Sequence, residues 1–225
     1  MRRFNYRTGA LGAVLTVMAL STGCAKEPPP AVLFGATGDI VASDYDRVLR
    51  RWTRSDQVYS GLDHRMFVDA TLHSPEFRRA FAIAWPDVYG AGGQVTRREL
   101  VELSGPAETT HTFFVSVFTG DRDWNDLADQ GSIWRLTLES GPVSVEASEI
   151  TAIPVDANLR AVYSHIDRFD KCYLVRFPLA DPLNRMLVDP SSTDLTMKIA
   201  SAIGRAELQW QLLPASKSTR KAALP

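Results

Sequence analysis

Two spacings of apolar residues divide the chain. Tyr45, Val48, Leu49 and Trp52 fall at i, i+3, i+4 and i+7 with arginines on the other side, which predicts a first helix capped by Ser43. Over 62–72 the period drops to two. Leu62, His64, Met66, Val68 and Ala70 share one face and predict a strand. Ser74-Pro75-Glu76 then reads as a helix start, with an N-cap, a proline at the first position and an acid in the first turn. Phe77, Ala80, Phe81, Ala84 and Trp85 give that helix one apolar stripe, and Pro86 with Gly90-Ala91-Gly92-Gly93 ends it.

Beyond this point alternation dominates. Thr112 to Phe118 (TFFVSVF) is apolar on both faces and predicts a central strand. Trp134, Leu136 and Leu138 alternate with polar residues, Ser140-Gly141-Pro142 turns the chain, and Val143, Val145 and Ala147 resume the period. Lys171 to Phe177 reads as another strand. Leu195, Met197 and Ile199, then Ala206, Leu208, Trp210 and Leu212, predict a strand pair flanking Gly204. One apolar and one polar face per strand marks antiparallel sheet with a solvated side. The expected fold is therefore mainly β: an antiparallel β-sandwich of six or seven strands, of which an immunoglobulin-like arrangement is one form, with one or two short N-terminal helices.

The amino terminus has a different grain. Arg2, Arg3 and Arg7, with no acid, precede the uncharged run Gly9 to Leu20. A membrane-spanning helix needs about 20 apolar residues, so this shorter run suits the core of an export signal. It ends in Ser21-Thr22-Gly23-Cys24, which resembles the lipobox of bacterial lipoproteins, where small residues precede the cysteine that becomes the lipidated first residue. The resemblance implies a diacylglyceryl group on the Cys24 sulfur and an acyl group on its amine. One acyl chain anchors reversibly, at about 0.8 kcal/mol per buried methylene, whereas three make attachment effectively permanent. Ala25 rather than an acid after the cysteine implies, by the family's sorting rule, the outer membrane facing the periplasm. On this reading residues 1–23 are signal and 24–40 are the lipid anchor and a tether stiffened by Pro28-Pro29-Pro30. Residues 41–214 form one β-rich domain, and 215–225 (ASKSTRKAALP) are a frayed basic tail.

Composition narrows the partners. Without the signal, 22 basic residues face 26 acids, so no basic excess exists to neutralise phosphates, and nucleic acid is not expected. A hydrophobic content of 45% with ten Phe and five Trp is that of a folded domain. With Cys24 taken by lipid, Cys172 lacks an intramolecular partner and is expected to be buried as a small hydrophobe.

Candidate chemistry is sparse. In an oxygen-rich cluster that runs on to Asp129, a further candidate ligand, Asp121, Asp123 and Asn125 match the one-three-five spacing of a calcium loop. Its sixth place is Asp126 instead of Gly, its twelfth is Ser132 instead of Glu, and it joins strands, so a solvated turn without metal is expected. The run Val32 to Asp39 with Gly35 and Gly38 resembles the phosphate-binding turn of dinucleotide-binding folds. Its third glycine would fall at Val41 and the pattern that follows is antiparallel, so no cofactor is expected. His64, His73, His111 and His165 lack zinc spacing, and His64 is expected as a satisfied histidine at the sheet margin. Asp63-His64 has no identifiable nucleophile, and Asp167 and Asp170 around His165 and Arg168 read as a solvated charged turn. No catalytic residue is assigned. The expectation is an envelope lipoprotein that binds a protein partner or a cell-envelope component; the alternative is a periplasmic hydrolase using surface carboxylates. Adjacent buried acids beside a cleft would favour the hydrolase, a flat apolar patch the binder.

Overall fold

The computed structural model describes residues 30–34, 39–84 and 109–214. The export signal, Cys24, Gly35, Gly38, the expected helix end at Trp85 and Pro86, and the tail after Pro214 lie outside the described residues.

Residues 45–72 give α1 (Tyr45–Trp52), β1 (Thr53–Ser60) and β2 (Asp63–Leu72), and α2 is Pro75–Ala84. Then follow β3 (Thr110–Thr119), β4 (Arg135–Ser140), β5 (Val143–Glu146), β6 (Glu149–Ile153) and α3 (Ala157–Val162). The chain closes with β7 (Lys171–Pro178), β8 (Asp194–Ser201) and β9 (Gly204–Gln211). Short 3-10 turns sit at Ala42–Asp44 and Arg122–Trp124. Two antiparallel sheets, ordered β1-β2-β3-β7-β6 and β5-β4-β8-β9, make the expected mainly-β sandwich.

Between the sheets lie Met66, Val68 and Ala70 of β2, Phe113, Val115 and Val117 of β3, and the alternating rows of β8 and β9, all buried. Register confirms the carboxyl-terminal pair: Leu195 opposes Trp210, Met197 opposes Leu208 and Ile199 opposes Ala206. β3 is central, as its two apolar faces required. Phe113 looks inward to Trp210, with ring centroids 5.3 Å apart, while Phe114 looks outward and stacks on Tyr163 at 3.7 Å. That outer face is covered by helices. Tyr45 of α1 meets Phe77 and Phe81 of α2, and its hydroxyl donates to the Val162 carbonyl of α3 at 2.9 Å.

The helix starts differ in detail from their sequence signals. Ser74 Oγ accepts from the Phe77 N–H at 3.1 Å, as an N-cap should. Glu76, expected merely to complement the helix dipole, is buried and accepts from Arg51 Nη1 at 2.6 Å and Trp52 Nε1 at 2.7 Å. Ser43 does not cap α1. It lies inside the 3-10 turn, and Asp44, the residue immediately before the helix body, accepts from the Val41 N–H at 3.1 Å.

Among the described residues nine strands form where six or seven were expected. β1 and β6 were silent because they are edge strands with little apolar content: β1 buries Val58, and β6 buries Ile153. The exposed ladder edge of β9 is nevertheless covered. Arg54 Nε donates to the Gln209 carbonyl at 2.7 Å, and Asp56 Oδ2 accepts from the Glu207 N–H at 2.6 Å. Side chains of β1 thus supply the bonds a ladder would have made. Farther along the same edge, Ala31 N–H donates to Gln211 O at 2.9 Å and Leu213 N–H to Ala31 O at 2.9 Å. Ala31 and Leu33, within the stretch expected to be tether, are buried parts of the sandwich.

Candidate functional site

One end of the five-stranded sheet gathers the chemistry that the sequence scattered. Here the β1–β2 turn, the end of β3, the Arg122–Trp124 turn and the start of β7 meet. Gly61, at φ 65°, turns the chain from β1 into β2 and leaves Leu62 at its tip, 99% exposed. A bulge follows: Met66 pairs with Val58 but His64 pairs with Tyr59, so Arg65 is the extra residue. This flips the alternation. His64 leaves the core face on which Met66 and Val68 stay, and stacks on the outer face between Tyr59 (4.2 Å) and Phe67 (4.5 Å). Phe67 in turn lies 6.1 Å from Phe118 of β3. That single inserted residue corrects the expectation of His64 on the apolar row, while Leu62, expected on the same row, lies in the turn before β2 begins.

Two open pockets flank Gly120. The larger, about 590 Å³, is bounded by Phe118, Arg122, Arg168, Phe169, Asp170 and Lys171, among others. The smaller, about 390 Å³, lies between Leu62, His64, Arg65, Asp121 and Trp124. Gly120 separates them because nothing larger fits: a Cβ there would stand 2.8 Å from the His64 carbonyl oxygen. Cations and rings alternate around both. The Arg65 guanidinium lies 5.2 Å from the Trp124 ring centre, and that of Arg168 lies 5.6 Å from Phe169, which is 63% exposed. Lys171 Nζ donates to the Asn125 carbonyl at 2.6 Å, fixing a positive charge at the pocket wall.

The calcium-like loop forms the rim's floor and spends its ligands on itself. Asp121 accepts from the Asp123 N–H at 3.0 Å. Asn125 is buried; its amide donates to Val117 O at 2.7 Å and its oxygen accepts from the Tyr173 hydroxyl at 2.8 Å. Asp126 accepts from Ser132 Oγ at 2.9 Å, and Asp129 is exposed. Among the described residues no group of three His, Cys, Asp or Glu could hold a metal ion.

Behind the rim, the outer sheet face carries a polar row. Asp69, Ser116 and Cys172 are cross-strand neighbours on β2, β3 and β7. Asp69 accepts from Ser55 Oγ, yet burial pushes its carboxyl above the usual range. Asp170, at the pocket wall, is raised by burial too, with the negative charge of Asp69 adding to the rise. His165 sits over Phe114 and Tyr163, and burial lowers its ring to about 4. The turn around Asp167 and Asp170 is therefore only partly solvated: Asp170 Oδ2 accepts from the Asp167 N–H at 2.8 Å, but His165 beside it is half-buried with its Nε2 out of solvent. Cys172 is buried, as expected. The aromatic row and the acid pair were not found by sequence reading. Their signal, Tyr59, Phe67, Phe118 and Phe169 on four separate segments, appears only once the register is known.

No family model, curated protein or solved structure matches this chain. Among the described residues no helix is long and apolar enough to cross a membrane.

Proposed function

We propose that this chain is an envelope lipoprotein, anchored through Cys24, whose sandwich acts by binding a protein partner at the rim around Gly120. The observation that carries this reading is exposure. Leu62 (99%), Phe169 (63%) and Tyr59 (52%) stand in solvent at one end, interleaved with Arg122, Arg168 and the Lys171 ammonium. Aromatic side chains and arginine are the types enriched at protein interfaces, and an aliphatic tip such as Leu62 fits an apolar socket better than a sugar face. Placement agrees. Ala31, where the anchored segment joins the domain, sits at the carboxyl end of β9, and the rim lies at the opposite end. An eight-residue strand spans about 26 Å, so the rim would be held away from the bilayer.

Photo-crosslinking in cells tests this reading, with the photoreactive residue at Leu62, Phe169 or Ser144, the last on β5 outside the rim. Adducts of one defined mass at Leu62 and Phe169 but not at Ser144 are expected. Adducts at Ser144 alone, or at none of the three, would overturn it.

The acid pair favours a second reading, a periplasmic hydrolase in which Asp170, its carboxyl raised by burial beside an open pocket and further by the charge of Asp69, acts as proton donor. Asp69 does not line that pocket and is bonded to Ser55, which ranks the hydrolase second. Hydrolysis of cell-wall fragments by purified protein, lost in Asp170→Asn, would reverse the ranking.

A further inference from the structure

The opposite end of the sandwich is apolar where a soluble domain has reason to be polar. Val32 (42% exposed) and Leu213 (46%) lie side by side there, because Ala31 bridges Leu212. A hairpin closed by the Ala180–Met186 bridge, whose Met186 shares a pocket wall with Leu33 and Phe34, presents Leu183 (75%) at its tip and Met186 (53%) at its base. Asp181 caps that hairpin, accepting from the main-chain N–H groups of Leu183 (3.0 Å) and Arg185 (2.9 Å), and pairs with the Arg185 guanidinium at 2.6 Å. The tip is therefore built, and its leucine is held outward. An apolar pocket of about 200 Å³ opens beside it, with Leu33, Phe34, Leu179 and Met186 in its wall.

Two features of the chain say what this end faces. Cys24 precedes Pro30 by six residues, which reach about 20 Å even when fully extended. If Cys24 carries the lipid, as proposed above, these four apolar side chains can never be far from the bilayer. The chain also leaves the domain here, at Pro214, and the residues beyond it include Lys217, Arg220 and Lys221 with no acid. Their charge suits a surface of anionic headgroups.

We infer that Val32, Leu183, Met186 and Leu213 form a bilayer-contact surface that seats the domain on anionic lipid, with the rim turned away from the membrane. Apolar tips enter the headgroup layer while the Asp181–Arg185 pair keeps its bonds at the water boundary. The lipid anchor then sets only the distance, and this surface sets the orientation. A domain held by a tether alone would keep this end near the bilayer but would still tilt freely about Ala31, and Leu183 would enter the headgroup layer only in passing.

The test uses full-length lipidated protein in vesicles of phosphatidylethanolamine and phosphatidylglycerol, with a bimane probe at Leu183→Cys or Leu62→Cys on a Cys172→Ala background and a spin-labelled lipid as quencher. Quenching at 183 should exceed that at 62 by at least threefold. In vesicles without phosphatidylglycerol the protein should stay attached while quenching at 183 falls. Equal quenching at the two positions, or more at 62, would overturn the proposal. A dimer in detergent that is lost in Leu183→Ser would also overturn it, assigning the face to a second copy. Failure of the lipoprotein reading is separate: mass spectrometry would then find an unmodified Cys24 peptide. In that event unlipidated protein that binds phosphatidylglycerol vesicles, and loses binding in Leu183→Asp, still supports the surface, and absence of binding rejects it.

Discussion

The indole N–H of Trp210 donates to the main-chain carbonyl of Trp52 at 2.8 Å, so the last strand is fastened to the end of the first helix across 158 residues of sequence. The Arg54 guanidinium lies 5.7 Å from the same Trp210 ring and bonds Gln209 O beside it. Helix α1, strand β1 and strand β9 therefore share one joint, in which both indole N–H groups and the arginine Nε donate to partners on other elements.

Truncating Trp210 to Ala should cost about 3–5 kcal/mol, the usual range for a large buried ring. Such a loss is a large share of the 5–15 kcal/mol or so that holds a typical domain. Trp210→Phe keeps most of the buried area and leaves only the Trp52 carbonyl bare, so it should cost less than half as much. Urea melts of the two variants check this. A Trp210→Ala midpoint close to wild type would mean that the joint does not close the core.

Gly204 opens β9 at φ 153°, and a Cβ there would lie 2.1 Å from Val58 Cγ1 on β1. Gly204→Ala must push the two strands apart, loosening the bonds from Arg54 and Asp56, at a cost of about 1–3 kcal/mol for overpacking. Val58→Ala vacates the space. The double variant Gly204→Ala/Val58→Ala should then be more stable than the sum of the single losses predicts, by a coupling measurable in a double-mutant cycle.

Calcium at millimolar levels should leave the melting temperature unchanged. The ligand spacing of Asp121, Asp123 and Asn125 is present, but Asn125 already bonds Val117 and Tyr173 and Asp121 caps its own turn. Asn125→Ala should instead destabilise the protein in calcium and in chelator alike, since it strips a buried hydrogen-bonded tie worth about 1–3 kcal/mol. A saturable rise in melting temperature with calcium, lost in Asp121→Ala, would restore the metal reading.

Stability should fall as pH drops from 7 toward 4. Burial holds His111 and His165 at about 4, and holds His73 well below its ordinary range with Arg78 and Arg176 adding to the effect. The unfolded chain, with histidines near 6.5, binds these protons first, so the stability they confer is present above about 6.5 and is lost as pH falls through the folded values. Each of the two rings at about 4 accounts for about 3 kcal/mol over that window. Asp69 and Asp170 run the other way: raised by burial, they favour the fold when protonated and penalise it as pH rises through their folded values. Asp69→Asn should therefore stabilise the protein at pH 7, and His165→Gln should flatten the decline between pH 6.5 and 4. Denaturant midpoints across that range decide both.

Sequence alone determined the elements whose apolar spacing is complete within one segment. The rows Leu195-Met197-Ile199 and Leu208-Trp210-Leu212, the cap at Ser74, the two-faced strand at Phe113 and Phe114 and the helix at Tyr45 to Trp52 were all legible, because burial of one face dictates a period that needs no partner to be read. Edge strands were not. β1 carries one buried apolar side chain, Val58, and is held by Arg54 and Asp56 reaching β9, a contact that no local pattern encodes. The candidate site was hidden for the same reason. A bulge at Arg65 turned His64 outward, and only the pairing of β1, β2 and β3 set Tyr59, His64, Phe67 and Phe118 in one row. Periodicity records which face of a segment is dry. Where a ring on one strand meets a charge on another depends on register and on one inserted residue, and those are fixed by the packing of the whole sandwich.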